Sequence, residues 1–228
     1  MDIKNLWQEI HARTSEDNIL CESSSPHHQI VAFYIHTVVK YCKLHPSTKW
    51  LEYGCGSGKS LSYLLKIGLN SNLYAADISR LALGKAKSLL KKDGVKLHTR
   101  IIKNRKIDIP DETIDIINAE ASIYYDDYCG LKASIGEIWR LLKPGGYTRI
   151  YTKSDYDRHA IDAFKISDFT YRINKPGHWE DGMEICCINK KVALNLMKKF
   201  SHVQIGSDSY EYTGIDGLKS FLIITARK

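Results

Sequence analysis

The feature that most narrows the possible folds is the stretch from residue 50 to residue 60, WLEYGCGSGKS. Glycines alternate at 54, 56 and 58, just after a short apolar and aromatic run and just before residues that suit a helix. That layout is strand, tight loop, helix. The closing Gly58-Lys59-Ser60 invites comparison with a phosphate-binding loop, whose spacing is G-x-x-x-x-G-K-[ST]. Counting back, the first glycine of that pattern falls on Tyr53. The dinucleotide pattern G-x-G-x-x-G also fails, because its third glycine falls on Lys59. What remains is an acidic residue followed by alternating glycines, beginning at Glu52. A carboxylate beside the loop repels phosphate and suits an ammonium or another cation. The loop fits a nucleoside ligand without phosphates.

The rest of the chain alternates strands and helices. Ser25-Pro26 opens an amphipathic helix to residue 42, with Ile30, Val31, Tyr34, Val38, Tyr41 and Cys42 on one face. Trp50 to Tyr53 reads as the first strand, and a helix runs from about Lys59 to Ile67, closed by Gly68. NLYAADIS ends a second strand at Asp77. A helix with Leu81, Ala82, Ala86, Leu89 and Leu90 inward follows, with Gly94 beyond its end. VKLHTRIIK, ETIDIINAE and YTRIYTK supply three more strands, the last two separated by the helix LKASIGEIWRLL, which Lys143-Pro144-Gly145-Gly146 should stop. KKVALNLMKKF reads as a short helix, and HVQIGSDSYEY and SFLIITARK as two closing strands joined through Gly214 and Gly217. This order predicts an α/β fold. Its sheet is doubly wound, mostly parallel and seven-stranded, with an antiparallel last strand, helices on both faces and an N-terminal helical cap. Ligands of such sheets sit at the carboxyl ends of the strands, where the glycine loop lies.

A chain of 228 residues with 43% hydrophobic content suits one domain. The expected organisation is a cap over 1–48, a cofactor-binding core over 49–153, an acceptor-side insertion over 155–199 and closing strands over 200–228. No apolar run reaches the roughly 20 residues of a membrane-spanning helix, and the opening residues lack the layout of a signal peptide, so no membrane partner and a cytoplasmic location are expected. The six cysteines show neither C-x-x-C spacing nor a paired framework, which favours reduced thiols over disulfides or a metal site. The net charge of +7 is concentrated around Lys85, Lys87, Lys91, Lys92, Lys96, Arg100, Lys103, Arg105 and Lys106. A solvated face is favoured there over a nucleic-acid surface.

Four segments in order, LEYGCGSG, the strand ending at Asp77, IDIPDETIDIINAE and IWRLLKPGGYTRIYT, resemble the class I S-adenosylmethionine-dependent methyltransferases. The resemblance covers about residues 49 to 153. It implies S-adenosylmethionine as cofactor, with Gly54, Gly56 and Gly58 against its methionine part, Glu52 facing the amino group, and Asp77, followed by Ile78, on the ribose. Asp77 also suits a helix N-cap, the competing reading. Where many members carry an acidic residue for the adenine amine this chain has Asn104, whose amide oxygen can accept the same donor. The fourth strand ends in NAEASIYY without an N-P-P-[YF] signature, which disfavours adenine and glutamine acceptors.

On the acceptor side the resemblance gives no residues. His178, between Gly177 and Gly182, is the expected group to orient or deprotonate the acceptor, by the intrinsic pKa of histidine, with Glu120 next and Tyr34 or Tyr124 lining the cavity. Tyr125, Asp155, Tyr171, Trp179 and Glu180 are further candidates. Asp126 and Asp127 are read as solvated acids, not as metal ligands. The expected function is methyl transfer to a small-molecule acceptor, with RNA or protein as the lesser alternative acceptor and a non-catalytic cofactor-binding module as another.

Overall fold

The computed structural model describes residues 3–13, 35, 38, 42, 44–161, 163–212 and 215–228. The chain divides into two compact units, to Asn118 and from Ala119. The boundary falls inside one strand, within the stretch expected to form a single cofactor-binding core.

In the first unit, β1 (Trp50–Tyr53), β2 (Leu73–Asp77), β3 (Leu97–Lys103) and the start of β5 (Ile114–Glu120) lie parallel in the order β5-β1-β2-β3. β4 (Lys106–Ile107) returns antiparallel on β3. That return brings the larger sheet to eight strands where seven are expected. Its turn is Asn104-Arg105, with φ of 48° and 60°, the paired left-handed geometry of a tight hairpin. Helices α2 (Lys59–Lys66) and α3 (Arg80–Lys92) link the parallel strands. Leu61 and Leu64 on α2, and Ala82, Ala86, Leu89 and Leu90 on α3, are buried at the three- and four-residue spacings read from the sequence; Leu81 instead is 38% exposed. Ser79 caps α3 by accepting from the Ala82 N–H at 3.1 Å. The N-cap is therefore Ser79, two residues beyond Asp77.

An additional helix, α1 (Ile3–Arg13), packs on α3. Of the helix expected over 26–42, Ile30, Val31, Tyr34 and Tyr41 lie outside the described residues, while Ile35, Val38 and Cys42 are buried.

In the second unit, α4 (Tyr128–Leu141) starts on Asp127, whose side chain accepts from the Gly130 N–H at 2.6 Å. β6 (Leu142–Lys153) begins where α4 ends, earlier than expected, because the Pro144-Gly145-Gly146 segment joins the strand through backbone bonds, with Gly145 at φ of 76°. Gly145 and Gly146 bond to Lys228 at the end of β11 (Ile215–Arg227). β11 pairs antiparallel with both β6 and β10 (Ser201–Tyr212), which is the antiparallel finish. The 155–199 stretch folds into α5 (Arg158–Ile161), a three-stranded sheet of β7 (Phe164–Ser167), β8 (Thr170–Arg172) and β9 (Glu184–Cys186), and α6 (Lys190–Leu196).

Candidate functional site

The loop after β1 adopts backbone that favours glycine, with φ of 70° at Gly54, 51° at Gly56 and 100° at Gly58. A Cβ on Gly58 would lie 3.1 Å from Ala86 Cα, so this glycine also lets α3 pack against the loop. Gly54 N–H and Cys55 N–H both bond to the Ala76 carbonyl, at 2.7 and 3.0 Å, which holds the loop to the end of β2. α2 then starts from Gly58 with no side-chain cap and no acid in its first turn, leaving its positive end for a carboxylate to meet.

Two buried carboxylates flank this loop. Glu52 is 2% exposed; its Oε1 accepts from Trp50 Nε1 at 2.6 Å and its Oε2 from Asn118 Nδ2 at 2.9 Å. Asp77 takes the Gly56 N–H on Oδ2 at 2.9 Å and the Ser79 N–H on Oδ1 at 2.8 Å. Burial pushes the Asp77 pKa up, opposed by the hydrogen bonds from Ser79, Gly56 and Ile78 and by His11. The Cys55 thiol is pushed well up by burial, then by the charges of Asp77 and Glu52. The loop thus sits in a negative field that favours a cation and disfavours phosphates.

One residue of this site escaped the sequence. His11 on α1 is 8% exposed and its Nδ1 lies 3.0 Å from Ser57 Oγ; a Cβ built on Gly56 would meet its Cε1 at 3.4 Å. α1 is held there by Gln8 Oε1, which accepts from Ser79 Oγ at 2.6 Å and Leu81 N–H at 3.1 Å, and by Lys85 Nζ on the His11 carbonyl. Burial lowers the His11 pKa, helped by Lys85 and opposed by Asp77. The hint in the sequence was WQEIH, whose Trp7 and His11 are one helical turn apart and stack at 5.8 Å. Asn104, in contrast, is exposed in the hairpin turn, three residues past Ile101, the register partner of Asp77. It lies at the carboxyl edge of the parallel strands, as do the loop and Asp77.

In the second unit, the turn between Gly177 and Gly182, both at positive φ, carries His178-Trp179-Glu180. Glu180 is 4% exposed and its Oε1 accepts from the Tyr125 hydroxyl at 2.8 Å. The Tyr124 and Tyr125 rings lie 4.4 Å apart, and burial pushes both phenols well above their ordinary pKa. His178 Nδ1 accepts from the Glu180 N–H at 3.2 Å. In the neutral imidazole that bond places the proton on Nε2, which makes Nε2 a donor. Tyr34 lies outside the described residues. Glu120 bonds to the buried Arg149 guanidinium, and its Oε1 is buried without a hydrogen-bond partner. Lys153 and Asp157 form a buried pair at 2.8 Å, with Lys153 Nζ 4.2 Å from the Phe221 ring centre.

A family model described as a methyltransferase domain matches residues 51–146, from the strand before the glycine loop to the Gly145-Gly146 turn. Residues 51–146 are thus similar to a methyltransferase domain. The chain is 28% identical over 147 residues to the sterol 24-C-methyltransferase of Neurospora crassa, an alignment covering 59% of this chain and 36% of that protein. Its fold matches a SAM-dependent methyltransferase from Methanosarcina mazei at a TM-score of 0.67 and 20% identity, over 86% of this chain and 96% of the other. It also matches the 1,6-didemethyltoxoflavin-N1-methyltransferase of Burkholderia thailandensis, solved with its acceptor and S-adenosylhomocysteine, at 0.63 and 15% identity, over 100% of this chain and 89% of the other. The likeness to solved structures shows the mostly parallel α/β fold alone. No described helix is long and apolar enough to cross a membrane.

Proposed function

We propose that this chain binds S-adenosylmethionine at the 54–58 loop and transfers its methyl group to a small-molecule acceptor. The observation that carries this reading is the pair of buried carboxylates, Glu52 and Asp77, flanking a glycine loop inside the methyltransferase-domain match. S-adenosylmethionine supplies an electrophilic sulfonium methyl. The residues fit that ligand: the negative field suits its ammonium and sulfonium, and the start of α2 suits its carboxylate. Asp77 accepts from the Gly56, Ser79 and Ile78 amides, and a carboxylate has about four acceptor sites, so one remains for a ribose hydroxyl. Ile78 and Asn104 are assigned to the adenosine part. His11 closes the loop from α1.

On the acceptor side, His178 Nε2–H is assigned as a donor that orients the acceptor; general-base work through Nε2 would need the opposite tautomer. The buried Glu180 carboxylate, held by Tyr125, supports that turn. Displacement at the sulfonium is in line, so most of the rate comes from holding acceptor and methyl in register. A small acceptor is favoured by those named for the similar proteins, a sterol and 1,6-didemethyltoxoflavin.

Incubating the protein with methyl-labelled S-adenosylmethionine and a small-molecule fraction of cell extract tests the reading. A labelled product in that fraction is expected, with His178→Ala slowing its formation by about tenfold or more while cofactor affinity holds. Label appearing only on macromolecules would move the acceptor class. Tight ATP binding, lost in Lys59→Ala, would remove the cofactor assignment itself.

A further inference from the structure

Between Arg80 and Lys106 the chain carries ten Lys or Arg against Asp93 alone, a net +9 within a chain of net +7, so all other residues together are net −2. The basic excess is therefore one local feature. The structure folds it onto one edge of the first unit: Lys87, Lys91 and Lys92 are exposed on α3, and Lys96, Lys103, Arg105 and Lys106 are exposed around β3 and β4. β4 ends the strand order. A groove of about 370 Å³ opens there, lined by Thr99, Ile101, Ile107 and the three bases Arg100, Lys103 and Lys106, with Asp108 the one acid. Arg100 is held in place by the Thr99 and Asp108 carbonyls at 3.0 and 2.9 Å.

A second observation points to the kind of polyanion. Tyr74 and His98 are cross-strand neighbours on β2 and β3, stacked at 4.8 Å with 20° between planes, and both are half-buried. Burial lowers the His98 pKa first, and Lys96, Arg100 and Lys49 lower it further, so the aromatic pair lies among three cations. Bases beside stacking platforms are the chemistry that holds single-stranded nucleic acid: phosphates meet the charges and an unpaired base meets the ring. A membrane surface would need apolar anchors beside the bases, and the exposed large hydrophobics near this edge reduce to Leu81; the others described lie at 156–194.

We propose that the α3–β3–β4 edge is a docking surface for single-stranded nucleic acid, with phosphates along Lys91, Lys96 and Lys103 and a base against the Tyr74–His98 pair. The proposal does not depend on the methyl-transfer reading.

The test is fluorescence anisotropy of a labelled oligouridylate of about 20 nucleotides titrated with the full chain at about 50 and about 200 mM salt. Binding in the micromolar range at the lower salt, falling steeply at the higher, is expected. Lys91→Glu/Lys96→Glu/Lys103→Glu should weaken it about tenfold or more and lower the log-log salt slope by about 2. His98→Ala should weaken the oligonucleotide about fivefold or more while leaving heparin binding unchanged. If the triple variant loses its thermal transition, Lys91→Gln/Lys96→Gln serves instead, with a smaller loss expected. Absence of binding at low salt would overturn the proposal, as would wild-type affinity in folded charge variants. Poly-glutamate or phosphatidylserine vesicles held as tightly as the oligonucleotide would also overturn it, by assigning the edge to an acidic protein or a lipid surface.

Discussion

At the residue scale, Asp77 is held by the backbone amides of Gly56 and Ser79 and not used as a helix cap. The sequence offered it as ribose reader or as helix cap. The structure moves the cap to Ser79 and has Asp77 brace the Gly56 amide, with acceptor capacity remaining. Its position was legible because a strand ending in an acid after a glycine loop is a local pattern. His11 was not legible, since its contact with Ser57 spans 46 residues and no periodicity encodes such a separation. Its lowered pKa carries a prediction whose sign is as follows. The folded pKa lies below the ordinary 6.5, so the unfolded chain binds the proton more readily, and stability falls as pH drops through 6.5 toward the folded value. The fall stops below that value. Melting temperatures from pH 8 to about pH 5 should therefore decline more steeply for the wild type than for His11→Asn. Parallel curves for the two proteins would mean that His11 stays solvated.

At the scale of elements, the 54–58 loop owes its shape to glycine at each alternate position, and Gly58 is the most constrained. It combines φ of 100° with a contact of 3.1 Å to the α3 backbone for any added Cβ. Gly58→Ala should cost about 1–3 kcal/mol of stability from the strained conformation, more if α3 shifts, read as a lowered urea midpoint at constant slope. An unchanged midpoint would show that the loop relaxes freely. The Glu120–Arg149 pair makes a second test of the same kind, in the second unit. Glu120→Gln removes a countercharge from a buried guanidinium and should cost about 3–5 kcal/mol, far more than a surface substitution. Buried charge of this sort could not be read in advance: Glu120 looked like a free carboxylate at a strand end, and Arg149 like an alternating polar residue in YTRIYTK. The parallel strands and α2 to α4 were legible because apolar spacing and Gly or Pro punctuation fix them locally. The β3–β4 hairpin was missed because Asn104-Arg105 lacks the glycine that usually marks a left-handed turn. Helix α1 was missed because its docking rests on Gln8 and His11, polar residues that an apolar count ignores.

For the whole molecule, the two units divide the chemistry by residue type. The first holds the acid-flanked glycine loop and, at β3 and β4, the basic surface; the second holds the Tyr124, Tyr125, Glu180 and His178 cluster. The class of fold and the cofactor loop were written in contiguous sequence. The Tyr125–Glu180 cluster was not, because it joins residues 55 apart in the chain, and only the histidine between two glycines stands out in the sequence. The chain spans about a third of the length of the Neurospora sterol methyltransferase it resembles, so its acceptor has to be found with this protein itself. The central claim is that the 54–58 loop and Asp77 hold S-adenosylmethionine, and calorimetric titration with S-adenosylhomocysteine addresses it most directly. The account predicts one site per chain in the wild type. It predicts affinity weaker by about 1.5–3 kcal/mol, roughly ten- to more than a hundredfold, in an Asp77→Ala protein that retains its thermal transition. No heat of binding in the wild type, or equal affinity in the two proteins, would contradict it.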